Sequence, residues 1–286
     1  MKWQRARRSS NVEDRRGRRL AAGGGLGLGG IAIVVVISLV LGKNPMEMLG
    51  LVQQFTAGTA SQTSSAPSQP IDDEASRFVA SILGETEDVW TELFRQQGQR
   101  YEPARLVLFS DQVRSACGTA SSAVGPFYCP GDRQVYIDLG FFEQMRTRLG
   151  GGGDFAEAYV IAHEVGHHIQ TLIGVSQRVN DARRRGQNVE GDGGLLVRQE
   201  LQADCFSGVW AHHAQQRHDW LEPGDIEEAL NTAAAIGDDR LQRQSRGSVV
   251  PDSFTHGTSE QRVRWFRTGF DSGDFQRCDT FAATRL

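Results

Sequence analysis

Apolar positions recur along this chain with several different periods, and each period predicts a different kind of segment. Across Asp72–Phe94, Phe78, Ile82, Val89 and Leu93 return at four- and seven-residue steps, with Val79, Leu83, Trp90 and Phe94 beside them. That is the pattern of a helix burying one face. Arg105–Phe109 and the alternating run Gln134–Leu139 are short, apolar and bounded by turn-forming residues, and predict strands. Phe155, Tyr159, Val160, Ile161, Val165, Ile169 and Ile173 follow mixed i+3 and i+4 steps, which predicts a largely buried helix. Asp154, after a run of four glycines, is its expected N-cap, with Glu157 three residues on and Gly174 as a stop.

The N-terminal part has a different character. From Leu20 to Gly42 there is no charged residue, and Ile31–Leu41 is almost wholly aliphatic. About twenty apolar residues cross a bilayer core. Gln53–Pro70 is rich in Ser, Thr, Gln, Ala and Pro and has the composition of a flexible tether. The expected layout is a basic cytoplasmic segment at 1–19, a transmembrane helix at 20–42, a linker at 43–70 and one folded domain at 71–286. No internal repeat is evident.

Charge sharpens this picture. The chain has 286 residues and a formal net charge of −4, so nothing global argues for nucleic acid as a partner. Its first residues are nevertheless crowded with Lys2, Arg5, Arg7, Arg8, Arg15, Arg16, Arg18 and Arg19. Basic residues on that flank predict a cytoplasmic N-terminus and an extracytoplasmic domain held at the inner membrane. A cleaved signal peptide is the rival. It wants small residues just after the apolar core, where Lys43-Asn44-Pro45 stand instead, so a retained anchor is favoured.

The buried helix carries the chemistry. Its few polar residues include His163, Glu164 and His167, an H-E-x-x-H arrangement. Residues i and i+4 share a helix face, so the two imidazoles can close on one Zn²⁺ at ~2.0–2.1 Å. Glu164 is placed to reach a water at such a site. A solvated helix that merely carries two histidines is the alternative, and unpaired buried polar groups weigh against it. Downstream, Glu200 and Asp204 are again i and i+4, which makes Glu200 a third ligand and Asp204 a group that orients a ligand imidazole. Two exposed helix charges are the competing reading. A metzincin would need Gly and His where Gln170 and Ile173 stand, so that branch is excluded. His168, five residues from His163, turns away from the ligand face.

Four cysteines allow three pairings. Cys117 and Cys129 close a short loop, which leaves Cys205 with Cys278. A second zinc site lacks any C-x-x-C spacing, and Cys205 as a free buried thiol stays open. Thr258 and Gln261 form a capping-box pattern that starts a helix through Trp265 and Phe266.

Four blocks now acquire a family resemblance: 117–130 around Cys117-Gly118-Thr119, 162–170 around the histidine motif, 200–210 from Glu200 to Trp210, and 254–259 from Phe254 to Ser259. Together they resemble the bacterial putative neutral zinc metallopeptidase family, over nearly all of the chain from about Ile71 onward. The resemblance implies an α+β, zincin-like domain, mainly helical with a small sheet, behind a membrane anchor. It implies zinc as cofactor but supplies no substrate; with an extracytoplasmic domain, the expected partner is a peptide or protein of the cell envelope. It also implies that His256 stabilises an oxyanion, that Arg262 pairs with Asp204, and that Gln134–Leu139 is a sheet edge along which an extended substrate lies. An interior strand is equally open for that segment.

The expected chemistry is peptide hydrolysis, with Zn²⁺ on His163, His167 and Glu200 and with Glu164 as general base and then acid. Two other classes remain: a catalytically idle, metal-stabilised domain that binds envelope partners, and a zinc hydrolase of a non-peptide amide.

Overall fold

The apolar period at 78–94 produces a long helix, α1 (Glu74–Gln96). Asp73 and Ser76 cap it reciprocally, each side chain accepting the other's backbone N–H. The computed structural model describes residues 1–17, 72–149 and 152–286. Mostly helical with a small sheet, it is an α+β fold, as expected.

The sheet is built from β1 (Val12–Asp14), β2 (Arg105–Phe109), β5 (Phe127–Cys129) and β6 (Gln134–Asp138), in the order β1-β2-β6-β5. The first three strands are parallel and β5 is antiparallel to β6. Four of the five residues of β2 and of β6 are buried, as suits parallel strands covered on both faces. A separate hairpin, β3 (Gln112–Ser115) with β4 (Gly118–Ser121), lies between β2 and β5 in the chain. The helices that follow are α2 (Leu139–Gln144), α3 (Asp154–Leu172), α4 (Val175–Arg184), α5 (Leu195–His218), α6 (Asp225–Ala235), α7 (Asp238–Arg246) and α8 (Ser259–Ser272).

Two expectations about these elements are settled. Gln134–Asp138 is interior, flanked by β2 and β5, which decides between the two readings; the sheet edges among the described residues are β1 and β5. The N-cap of α3 is Gly153, with φ 108°, and Asp154 is the first helical residue. A backbone at that φ suits glycine, and the chain turns into the helix one residue earlier than a capping aspartate requires.

The largest correction concerns the N-terminus. Residues 1–17 belong to the same folded unit as the rest of the described chain. Val12, Glu13 and Asp14 pair with Leu106, Val107 and Leu108. Trp3 is buried and meets Phe78 edge-on at 5.5 Å. Two arginines of the basic flank are paired: Arg7 with Glu87 and Asp88, both at 2.8 Å, and Arg16 with Asp14 and with Asp73. The strap lies so close to α1 that a Cβ at Gly84 would overlap the Arg7 carbonyl. The expected separate segment at 1–19 is thus, over residues 1–17, part of the folded unit. The expected transmembrane segment 20–42 and linker 43–70 lie outside the described residues. Among those described, no helix is long and apolar enough to cross a membrane.

The core forms around α3, which is apolar on nearly all sides and is packed by α1, α5 and α6. Helix α8 lies along α5. Trp90, Trp210, Trp220, Phe206 and Phe266 are all essentially inaccessible. Both expected disulfides are formed. Cys117–Cys129 ties the β3–β4 turn to β5, and Cys205–Cys278 fastens the C-terminal segment to α5 across 73 residues.

Candidate metal centre

Helices α3 and α5 supply the site, and a glycine sets their spacing. A Cβ at Gly166 would sit 3.0 Å from the Ala203 Cα and 3.1 Å from its carbonyl oxygen. Only a residue without a side chain lets the backbones approach so closely. The variable third position of the histidine motif, Val165, faces the core, while the glycine after it brings Glu200 and Asp204 within reach of His163.

His163, His167 and Glu200 converge: one ligand atom of each lies within 4.8 Å of the others. His163 Nε2 is 3.2 Å from one Glu200 carboxylate oxygen and His167 Nε2 is 3.5 Å from the other. Each imidazole is held from behind by its other nitrogen. His163 Nδ1 is 2.9 Å from Asp204 Oδ1, and His167 Nδ1 is 2.9 Å from Gln170 Oε1. A carboxylate oxygen only accepts, so His163 donates from Nδ1 and leaves Nε2 for the centre. This donor set, two imidazoles and a carboxylate with their supports in place, fits a tetrahedral zinc ion with one position open.

Asp204 is the hub behind the centre. Its Oδ1 accepts from the Tyr159 hydroxyl at 2.5 Å and from Arg262 Nη2 at 2.9 Å, besides His163. Its Oδ2 accepts from Arg262 Nε at 2.9 Å. Burial opposes ionisation here, but Arg262 and His163 outweigh it and hold the Asp204 carboxyl down at about 2. Burial likewise works against a charged His163, yet Asp204 and Glu200 together push it up to about 10. Positive charge is thus favoured at the centre, by the same carboxylates that would receive a cation.

Glu164 is buried beside these groups, and no hydrogen bond or ion pair joins its carboxylate to another described residue. Burial raises its pKa above the ordinary carboxylate value, with the neighbouring histidines opposing. His163, Glu164, His167, Glu200 and His256 all line one groove of about 610 Å³, together with residues of β5. His256 is half-exposed, its Nδ1 2.9 Å from the Thr255 hydroxyl and 3.3 Å from Asp238 Oδ1. His168 turns away, as its spacing predicts, to Tyr128 and to the Glu102 carbonyl.

Sequence reasoning passed over three supports. Tyr159 completes the Asp204 cluster, and its place one turn before His163 on the same face is a usable signal. Gln170 stands three residues after His167, again a helical neighbour. Asp238 accepts the backbone N–H groups of Thr255, His256 and Gly257 and so fixes the His256 loop. A contact 18 residues away in the chain leaves no local trace.

Comparison with known proteins agrees with this geometry. The family model described as putative neutral zinc metallopeptidase matches residues 1–281. The uncharacterized protein YpfJ of Escherichia coli strain K12 is 50% identical over 289 residues, covering 98% of this chain and 99% of that protein. The uncharacterized protein Rv2575 of Mycobacterium tuberculosis strain H37Rv is 44% identical over 223 residues, covering 74% of each chain. No solved structure matches. The chain belongs to the putative neutral zinc metallopeptidase family.

Proposed function

We propose that this protein is a zinc-dependent peptidase that hydrolyses peptide bonds in its groove. The observation that carries the reading is the convergence of His163 Nε2, His167 Nε2 and the Glu200 carboxylate beside an unpartnered, buried Glu164. A structural zinc site closes with four protein ligands and has no use for a buried base, whereas three ligands and a carboxylate suit hydrolysis.

His163, His167 and Glu200 would hold the ion. When bound, it supplies Lewis acidity that polarises a scissile carbonyl and makes a water easier to deprotonate. Glu164 takes that water's proton and passes it to the leaving amine, and burial, which raises its pKa, favours the protonated form it holds in between. Asp204 holds His163 through Nδ1, and Tyr159 and Arg262 hold Asp204. His256 borders the groove with Nδ1 engaged by Thr255 and Asp238, so its Nε2 is available to donate to a developing oxyanion when the ring is protonated. Burial works against that protonation, but Asp238 and Glu200 raise the pKa.

Strand β5 supplies a place for an extended substrate. It is the sheet edge next to the groove, and Phe127 and Tyr128 line it. An edge strand offers backbone N–H and C=O groups to a peptide laid alongside, which is strand addition. Pro126 and Pro130 bracket the strand, and prolines of this kind keep an edge from pairing indiscriminately. The two disulfides support a location in an oxidising compartment, such as the cell envelope, with residues 1–17 on the same side as the groove.

The direct test is to purify the full chain, measure bound zinc, and incubate it with a diverse peptide library. About one zinc per chain with chelator-sensitive cleavage supports the reading. Stoichiometric zinc without cleavage of any peptide contradicts it.

A further inference from the structure

His167 is held by an amide, and an amide has two ends that must be told apart. Gln170 is fully buried and its side chain reaches three groups: His167 Nδ1 at 2.9 Å, the Gln199 carbonyl at 2.6 Å and Gln202 Oε1 at 3.1 Å. The Gln199 carbonyl can only accept. The Gln170 NH₂ therefore faces it, and the Gln170 oxygen faces His167. The same logic fixes the next amide: the Gln202 NH₂ donates to the Cys278 carbonyl at 3.0 Å, so the Gln202 oxygen faces Gln170. Each amide is oriented by a backbone carbonyl that cannot reverse its role. The chain of donors runs one way, from His167 Nδ1–H to Gln170, from Gln170 to Gln202 and from Gln202 to Cys278.

We infer that Gln170 is the positioning residue that holds His167 as the Nδ1–H tautomer with Nε2 bare for metal, and that Gln202 and the Cys278 carbonyl keep Gln170 in that orientation. The Cys205–Cys278 disulfide anchors the last acceptor to α5, the helix that also carries Glu200. His163 and His167 thus receive different supports, a carboxylate for the first and a neutral amide for the second. A neutral acceptor fixes the ring without adding a further negative charge to those of Glu200 and Asp204 around one divalent ion. The inference rests on His163, His167 and Glu200 being metal ligands and does not require peptide hydrolysis.

The test compares wild type, Gln170→Leu, Gln170→Glu and Gln202→Leu as full chains stripped of metal. Zinc affinity is read by competition with a chromogenic chelator, and the His167 ring by ¹H–¹⁵N spectra of the zinc-loaded protein. Gln170→Leu is expected to bind zinc ~10–100-fold more weakly, the usual scale for a group that orients a ligand. Gln170→Glu is expected to recover most of that loss, because a neutral carboxyl can donate to the Gln199 carbonyl and accept from His167. Gln202→Leu is expected to fall between them. Wild type should show a hydrogen-bonded His167 Nδ1–H that disappears in Gln170→Leu. Should Gln170→Leu fail to fold, Gln202→Leu and the wild-type spectrum still decide. Wild-type affinity in both leucine variants, or metal on Nδ1 of His167, overturns the inference while leaving zinc binding itself intact. A wild-type chain that binds no zinc overturns the metal site and this inference together.

Discussion

Arg262 grips Asp204 with two parallel hydrogen bonds of 2.9 Å, although 58 residues separate them and both side chains are essentially inaccessible to water. The pair sits directly behind His163, so the geometry of the centre depends on a residue that never reaches it. Removing the cation strands a buried carboxylate, which typically costs ~3–5 kcal/mol. Arg262→Met is therefore expected to lower the midpoint of urea unfolding strongly. Arg262→Lys should rescue it only partly, because an ammonium cannot reproduce the two-pronged contact. Unchanged unfolding in Arg262→Met would show the pair to be dispensable.

Gly166 offers a way to perturb the centre without touching any ligand. A methyl group there meets Ala203, so α3 and α5 must part by a few tenths of an ångström. Gly166→Ala is expected to weaken zinc binding measurably in a chelator competition, with His163, His167 and Glu200 all present. Affinity equal to wild type would mean that the helices yield at no cost.

The N-terminal strap makes a prediction about pH. Asp73 caps α1 and pairs with Arg16 of the strap at 2.8 Å. Burial acts to raise its pKa, but Arg16 and the Ser76 contacts lower it from 3.8 to about 2. The folded value lies below the unfolded one, so the contribution is complete above about pH 4 and is lost as pH falls through about 2. The difference in stability between wild type and Asp73→Asn should shrink over that window. A gap that stays constant down to pH 2 would assign the Asp73 contribution to something other than its charge.

The strap also predicts sidedness. Single cysteines placed at exposed Arg8 and at exposed Arg184 should react alike with a membrane-impermeant thiol reagent in intact cells or vesicles. Protection of one site and labelling of the other would restore the two-sided arrangement that the basic N-terminus first suggested. Trp3→Ala should destabilise the fold by ~3–5 kcal/mol, as for other buried aromatics.

These cases show which parts of the protein could be foreseen from sequence. The convergence of His163, His167 and Glu200 was legible because helical spacing is local and chemistry limits which side chains gather where a metal could sit. The capping box at Thr258 and both cysteine pairings were legible for similar reasons. The strap was not, because Lys2 to Arg16 carries the same composition whether its charges face water or meet Glu87, Asp88 and Asp73 on or capping a helix some sixty to eighty residues on. The edge strand beside the groove was not legible for a related reason. Phe127–Cys129 is too short to give a period, and Gln134–Asp138, which does, turned out to have a neighbour on each side.

Glu164 carries the central claim, because it alone separates a catalytic centre from a metal-stabilised one. The decisive measurement compares zinc content and peptide hydrolysis in wild type, His163→Ala and Glu164→Gln. His163→Ala should lose both, and Glu164→Gln should keep about one zinc per chain while hydrolysis falls by at least ~10²-fold, the lower end for a general base. A Glu164→Gln protein that binds zinc and cleaves peptides at the wild-type rate would contradict the account.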